Sequence, residues 1–397
     1  MSHRRQPIPQ RTPVRRPPPP APTPAAAGPA AQPSARYVRL LPGDPAPVFV
    51  QRSPNNARFA SQTLGGMYVA LLFHVSAGDP RSRVALDAAA ARKDLFDTRR
   101  AVCFAVSCDP ADETRLTSAS PGMSFFWDAD GTVAKLHGVL PADWKAGDAV
   151  NAMRQWVVLD PQQRVHAVVP FRDDGSDAEE VFRLIERAPD ADRIVGFEMQ
   201  APVLAIPNVF EPDLCRALID HYQVTGGEAS GFMREVNGRT VLMHDTSHKV
   251  RSDVMLDDGP LKDATRERIH RRVRPEIAKI HQFQVSRMER YLIGCYTAAA
   301  GGHFRAHRDN TTKGTAHRRF AVSINLNADF DGGEVSFPEY GGRSYKPPPG
   351  GAVVFSCSLL HKVSPVTKGE RFAFLPFLYD DAAARIREAN LAFVGEE

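Results

Sequence analysis

A chain of 397 residues has room for two or three domains, and its 43% hydrophobic and 24% charged residues exclude a wholly disordered or fibrous protein. The formal charge of +4 resides in one place: Arg4, Arg5, Arg11, Arg15, Arg16 and Arg36 occupy residues 1–36 without an acid, which leaves −2 for the remainder. The body is therefore not basic, which argues against a nucleic-acid partner. Cys103, Cys108, Cys215, Cys295 and Cys357 make no CxxC pair and no zinc-finger spacing, so a disulfide framework or structural zinc is not expected and a reducing cytoplasm fits. No apolar run approaches a membrane span, and the first thirty residues lack the apolar core of a signal peptide.

Residues 1–36 are rich in Pro, Ala and Arg and include Arg16-Pro17-Pro18-Pro19-Pro20. Such a segment cannot build a core and favours extended polyproline conformations, so it is read as a disordered tail that links or solubilises. From 37 to 192, strands alternate with helices. Residues 69–73 and 101–106 are continuous apolar runs of the kind found in buried strands, and the Ala-rich stretch 84–96 between them predicts a β-α-β unit. Residues 156–159 and 165–169 flank Asp160-Pro161-Gln162-Gln163-Arg164 as a predicted hairpin, and Ser176 to Glu180 opens a helix with capping residues.

With Gly43-Asp44-Pro45-Ala46-Pro47 at its start, Ser107-Cys108-Asp109 at a strand end, and Phe125-Phe126-Trp127-Asp128-Ala129-Asp130-Gly131-Thr132 beyond, this order resembles the peroxiredoxin branch of the α/β thioredoxin fold. The resemblance implies a thiolate nucleophile just after the first long central strand, since a low-pKa thiolate is what attacks peroxide. That region, His74 to Arg83, contains no Cys, and Cys103 and Cys108 read as small buried hydrophobes in or after the next strand. The domain is expected to keep the scaffold without the redox chemistry.

Residues 189–200 offer no long linker, so the two halves are expected to pack together. Residues 203–210 predict a strand or turn, and a helix begins at Glu211 with Pro212 and Asp213 in its first turn. Leu214, Ala217, Leu218 and Tyr222 share the face assigned to the core. Residues 226–249 are polar and weakly periodic and read as a loop over an active-site mouth. His244 and His248 lie there four apart and read as part of a solvated loop in preference to a metal site. Residues 261–283 have helical spacing at Ile269, Val273, Ile277, Ile280 and Phe283, with a kink or break at Pro275; Arg266, Arg268, Arg271, Arg272 and Arg274 read as a solvated face.

Short strands follow at 288–295, 320–326, 334–337, 352–355 and 371–378, a set for which the natural closed form is an antiparallel double-stranded β-helix, or jelly roll. His307 and Asp309, two apart, fall on one face of a strand, and His361 follows the apolar run 352–355. Two imidazoles and a carboxylate make the facial triad that holds non-haem iron(II) with positions left open. A turn after His361 is expected to return the chain antiparallel and bring the planar fork of Arg371 near the metal. His303 reads as structural; whether Arg319, Asn325 and Asn327 face the cavity is open, because alternation does not say which face is inward.

These residues, with Tyr296, Asp331-Gly332-Gly333-Glu334-Val335-Ser336-Phe337-Pro338, Pro349-Gly350-Gly351-Ala352-Val353-Val354-Phe355 and Pro365-Val366, resemble the 2-oxoglutarate- and iron(II)-dependent dioxygenases of the prolyl 4-hydroxylase type, including the hypoxia-factor prolyl hydroxylases. The resemblance covers the second half, 196–397, with four motifs in the family's order and the distal His ten residues before the Arg. It implies a jelly roll with flanking helices; iron bound by His307, Asp309 and His361; the far carboxylate of 2-oxoglutarate paired with Arg371; Tyr296 lining the co-substrate pocket; and ascorbate as a further cofactor. It also implies a peptide or protein substrate hydroxylated at proline or another residue, with a small-molecule substrate as the alternative. One departure is Phe304, where members often have a second Tyr. Two other readings stand beside this one: a non-catalytic binding protein built from two retained scaffolds, and a thiol peroxidase, which the missing nucleophile disfavours. Substrate identity and oligomeric state are not legible.

Overall fold

The computed structural model describes residues 37–116 and 121–395; the Pro-rich segment read as disordered lies outside them. In the N-terminal part, five strands form one sheet in the order Met123–Trp127, Ala101–Ser107, Tyr68–Val75, Gln155–Leu159, Val165–Pro170. The first three run parallel, and the last two form the antiparallel hairpin expected around 160–164. Tyr68–Val75 carries a continuous apolar run from Val69 to Phe73 because both its faces are covered. Ala70 and Leu72 meet Leu86, Val181 and Phe182 on one side, while Val69, Leu71 and Phe73 meet Phe126, Val133 and Val157 on the other. Each such buried side chain contributes about 1.5–3 kcal/mol.

The helix between the first two parallel strands is Pro80–Ala91, not 84–96: Asp79 caps it by accepting from the amides of Arg81 and Ser82, and Pro80 takes the first position. The later helix, Ser176–Arg187, begins where expected, but Asp174 accepts from the Ser176 amide and Ser176 itself does not cap.

The C-terminal part is β-rich. A ten-stranded sheet contains Leu292–Thr297, Phe320–Asn325, Ala352–Ser356 and Val366–Phe374, and a five-stranded sheet contains Lys249–Val250, His303–His307, His361–Val363, Val335–Ser336 and Ser344–Tyr345. Alternation along the large sheet separates two environments. Phe320, Val322, Ile324, Phe372 and Phe374 join a core with Leu218, Tyr222, Ile269, Val273 and Ile277 from flanking helices. The opposite face, with Tyr296, Ala321 and Val353, meets Phe304, Val335, Phe337 and Val363 of the small sheet. A layered pair of sheets with a cavity at one end results.

Several expectations change in detail. Residues 362–371 do not form a hairpin: the His361–Val363 strand lies in the small sheet and Val366–Phe374 in the large one, so the chain crosses between sheets at Ser364-Pro365. Ala217 is exposed and Cys215 takes its place in the core. Ile280 is exposed as well, and the helix around Pro275 neither ends nor simply kinks. It passes through a π turn, Ile269–Val273, between Pro260–Arg268 and Arg274–His281, which accommodates a proline that has no amide hydrogen to donate. The arginines of this helix pair with Glu211, Asp263 and Glu267 as a solvated face. No helix among the described residues is long and apolar enough to cross a membrane.

The two parts touch where the turn Ser61–Leu64, followed by Gly65 and Gly66, meets Pro338, Glu339 and Leu360. Gly66 has φ +91°, and a Cβ there would lie 2.5 Å from Pro338 Cβ and 2.8 Å from its carbonyl carbon. Gly66→Ala is expected to destabilise the chain by roughly 2–4 kcal/mol, since left-handed strain and a backbone clash coincide. Gly301→Ala, with φ +67° and open space, should cost only about 1 kcal/mol. Chemical denaturation of the two variants checks this, and equal losses would mean that the contact between the parts is not tightly packed.

Candidate metal and co-substrate site

The site is set by strand register. His303–His307 and His361–Val363 pair antiparallel with His307 directly opposite His361, and such pairs stand about 4.5–5.5 Å apart at Cβ. Their ring centroids are 4.3 Å apart. Asp309 follows two residues on, its amide donating to the Cys357 carbonyl at 2.9 Å. His307 Nε2 lies 3.5 Å from Asp309 Oδ1, and His361 Nε2 lies 3.4 Å from Oδ2. One donor atom from each of the three falls within 4.8 Å of the others.

Backbone carbonyls orient both rings: His307 Nδ1 is 2.7 Å from the Arg305 carbonyl and His361 Nδ1 is 3.0 Å from that of Leu359. A carbonyl can only accept, so each Nδ1 carries a hydrogen and each Nε2 is the nitrogen turned towards the cluster. Burial, with His307 beside it, holds His361 down at about 4, leaving the imidazole neutral near pH 7. Burial alone would raise Asp309, but the two histidines hold it well below the ordinary carboxylate range. The cluster thus brings two imidazole Nε2 atoms and one anionic carboxylate oxygen together, a donor set that suits a divalent transition metal.

A second cross-strand pair faces it from the large sheet, Tyr296 opposite Arg371. Arg371 is 1% exposed; its Nε donates to Asn325 Oδ1 at 3.0 Å and its Nη2 to Ser323 Oγ at 2.8 Å. Nη1 has no partner among the described residues. A buried guanidinium with an unfilled donor is costly, so this fork is shaped to receive an acceptor such as a carboxylate. Ser323 and Asn325 therefore face inward. Asn327 instead turns to the backbone of Glu370 and Phe372, and Arg319 to the Ala316 carbonyl. His303 is bound to the Gly301 carbonyl, consistent with a structural role. Phe304 stacks on His307 with ring centroids 3.5 Å apart, so the position without a second tyrosine supports the His307 ring and offers no hydroxyl.

Both pairs line one cavity of about 430 Å³. Residues 226–249, expected as a loop, contain a β-hairpin over this cavity, Phe232–Val236 against Arg239–Met243, closed by Asn237 and Gly238 with φ of 51° and 76°. Asn-Gly between paired strands was the available signal, because both central positions of a type I′ turn need positive φ. His248 also lines the cavity, its ring 4.5 Å from that of Phe232, while His244 is exposed and outside the cluster. Further unforeseen liners are Lys249 and Arg251. Arg251 holds Asp253 in two contacts of 2.6 and 2.7 Å and reaches Tyr296 Oη at 3.3 Å. The alternation Lys249-x-Arg251-x-Asp253 was the trace of an extended, charged segment, which passes from the small sheet at Lys249–Val250 to the large one at Ser252–Met255.

Residues 289–379 match the 2OG-Fe(II) oxygenase superfamily. This stretch carries a 2OG-Fe(II) oxygenase domain and contains every residue of the two facing pairs. Over 91 residues the chain is 37% identical to the PKHD-type hydroxylase PiuC of Pseudomonas aeruginosa and 41% identical to a PKHD-type hydroxylase of Pseudomonas fluorescens, in each case over 21% of this chain and 39% of the relative. The chain thus spans about two fifths of the length of these curated relatives. Among solved structures, a Pseudomonas putida prolyl-4-hydroxylase aligns over 48% of this chain and 96% of its own, with 18% identity and TM-score 0.35. A Trichoplax adhaerens prolyl hydroxylase in complex with a hypoxia inducible factor peptide aligns over 52% and 92%, with 15% identity and TM-score 0.36.

Beside the cavity, Glu289 receives His317 Nε2 at 2.9 Å and Arg318 Nε at 2.8 Å. Burial would raise its carboxyl, but these partners hold it at about 2, below the ordinary 4.5. A carboxyl depressed on folding stabilises fully above its unfolded value and loses that contribution as pH falls through its folded value. Glu289 should therefore contribute about 2–3 kcal/mol above pH ~4.5 that fades towards pH ~2. Urea denaturation between these limits should show a steeper acid loss for the wild type than for Glu289→Gln; parallel curves would contradict the assignment.

Proposed function

We propose that the chain is an iron(II)- and 2-oxoglutarate-dependent hydroxylase acting on a prolyl or other residue of a peptide. The observation that carries this reading is the inward-facing Arg371 fork with a free donor, set opposite a convergent His307–Asp309–His361 cluster. When bound, iron(II) and 2-oxoglutarate supply oxidative decarboxylation of the co-substrate coupled to hydroxylation of a C–H bond. In this reading the three side chains hold the metal through two Nε2 atoms and one carboxylate oxygen. Arg371 receives the far carboxylate, backed by Ser323 and Asn325, and the Tyr296 ring, 5.3 Å from the guanidinium carbon, closes that end of the cavity. Phe304, Val335 and Phe355 give the cavity apolar walls that exclude water from the reacting atoms.

The proposed division is a tail at 1–36, a thioredoxin-like domain at 37–192 and the oxygenase domain at 196–397. The sheet order of the N-terminal part and its β-α-β start support the middle assignment. A redox-silent role for it is supported by the thiols. Cys103 is fully buried, and burial with Asp128 nearby pushes the Cys108 thiol far above its ordinary value, the reverse of an activated nucleophile. A polar network at the end of the first long strand, in which His74, Ser107 and the Ala77 amide surround Asp112, is a further support for this reading.

Two measurements test the reading. Calorimetric titration of the full chain with Mn(II), a non-turnover surrogate for iron, should give one site. His307→Ala, His361→Ala and Asp309→Asn should each weaken it by more than ~100-fold, because even outer-shell changes typically cost 10–100-fold; wild-type affinity in a folded His361→Ala variant would remove the triad. Arg371→Ala should weaken 2-oxoglutarate binding by about ten- to a hundredfold, the equivalent of roughly 1.5–3 kcal/mol for a charge-assisted pair, while leaving Mn(II) affinity in place. Unchanged 2-oxoglutarate affinity would move the carboxylate to another cation.

A further inference from the structure

The cavity does not belong to the C-terminal part alone. Asn56, Arg58, Ala60, Gln62 and Thr63 of the N-terminal part line it as well. Asn56 and Arg58 lie on the hairpin 50–60, and Asn56 Oδ1 accepts from Arg234 Nη2 at 3.2 Å, so this hairpin and the one at 232–243 meet on one rim. The turn below is fixed to the metal strand: Arg308, between His307 and Asp309, donates to the Gln62 carbonyl at 3.4 Å and pairs with Glu339 at 2.7 Å.

The charge of the lining is lopsided. Its acids are Asp245 and Asp309, against one lysine and eight arginines. Several of those cations are paired from behind: Arg251 and Arg290 share Asp253, which offsets one of the two charges, while Arg308 meets Glu339 and Arg318 meets Glu289. Arg371 faces the co-substrate end, and Lys249 is buried on Ser230 and the Gly231 carbonyl. Arg58, Arg234 and Arg305 remain, without a carboxylate within ion-pairing distance among the described residues. Arg58 and Arg305 are exposed and Arg234 is half-buried, so these three charges stand at the mouth. Asp245, the acid of that rim, is itself exposed and offsets at most one of them.

We propose that the hairpins at 50–60 and 232–243 form the banks of a composite substrate groove, and that Arg58, Arg234 and Arg305 select an acidic peptide segment flanking the reacting residue. This rests on the hydroxylase reading for the position of the reacting residue and goes beyond it in naming the class of substrate and the part played by the N-terminal hairpin. A small anion would be enclosed within the cavity, whereas exposed arginines at the rim contact parts of a substrate that extend outside it. Unpaired rim charges act chiefly on encounter and specificity, so the preference should weaken with salt.

The test is fluorescence anisotropy of the full chain with labelled peptides of equal length around a central proline, flanked by Asp/Glu, Ser or Lys. Each is measured with and without Mn(II) and 2-oxoglutarate, at low and moderate salt. The acidic peptide should bind at least about tenfold more tightly than the neutral one, with an advantage that shrinks as salt rises. Arg58→Glu and Arg305→Glu, both at exposed positions, should each cut that advantage, and the double change should favour the Lys peptide. Equal binding of acidic and neutral peptides, or an advantage untouched by Arg58→Glu, would overturn the proposal; so would displacement of the peptide by millimolar free glutamate, which would mark a small-acid site. Mn(II) and 2-oxoglutarate titrations of the wild type separate the two readings. Absent metal binding with a preserved acidic preference defeats the hydroxylase reading alone, and normal metal binding without the preference defeats this proposal alone.

Discussion

The architecture turns on one register: His307 opposite His361 in the small sheet. Side chains alternate faces with a strict period of two, so a slip of one residue would turn one ring away from the cavity and separate the three donors. Tyr296 opposite Arg371 in the facing sheet obeys the same constraint. Two cross-strand pairs, one contributing imidazole nitrogens and the other a guanidinium, are held face to face because the sheets share an apolar interior of Phe304, Val335, Val353 and Phe355. The chemistry is therefore positioned by sheet packing and not by mobile loops, the kind of rigid support a preorganised site requires.

That interior carries charges that would be unstable without partners. Asp253 receives Arg251, Glu289 receives His317 and Arg318, and Glu339 receives Arg308. Each pairing is buried or nearly so, and removing one partner would leave the other desolvated. Arg371 differs in having neutral partners and one donor unfilled, which makes it the group that gains most from an incoming anion. Arg308 extends the network to the N-terminal part: while paired with Glu339 it also donates to the backbone carbonyl of Gln62. A scaffold without an activated thiol thereby acquires a structural task at the neighbouring site.

Much of this was legible in the sequence because it depends on local pattern. Continuous apolar runs marked the parallel strands and the run 352–355 located the strand before His361; the His-x-Asp spacing brought two donors together, although the strand ends at His307 and Asp309 lies in the turn that follows, not on its face. Arg371 was found near the cluster, but by a different route from the one expected: its strand belongs to the other sheet, and sequence cannot tell a hairpin from a crossover when two short strands are separated by Ser364-Pro365. The inward face of the 320–325 strand was undecidable for a similar reason. Apolar residues at 320, 322 and 324 and smaller ones at 321, 323 and 325 fit either side until the flanking helices are placed. The 232–243 hairpin was missed although Asn237-Gly238 announces it, because its apolar residues fall next to one another, at Phe232-Met233 and Val241-Leu242-Met243, without the alternation that usually reveals a strand. Contacts between the two parts, such as Gln62 with Arg308, have no sequence signature.

The central claim is that the two facing pairs hold iron and 2-oxoglutarate together for turnover. Its most direct test is succinate release from 2-oxoglutarate by the full chain, followed with oxygen admitted to an anaerobic iron(II) complex. The account predicts release that begins with oxygen, stops with a chelator and resumes when iron(II) is restored. Binding of both iron(II) and 2-oxoglutarate without oxygen-dependent succinate would contradict it, and would leave a binding protein built on the same scaffold.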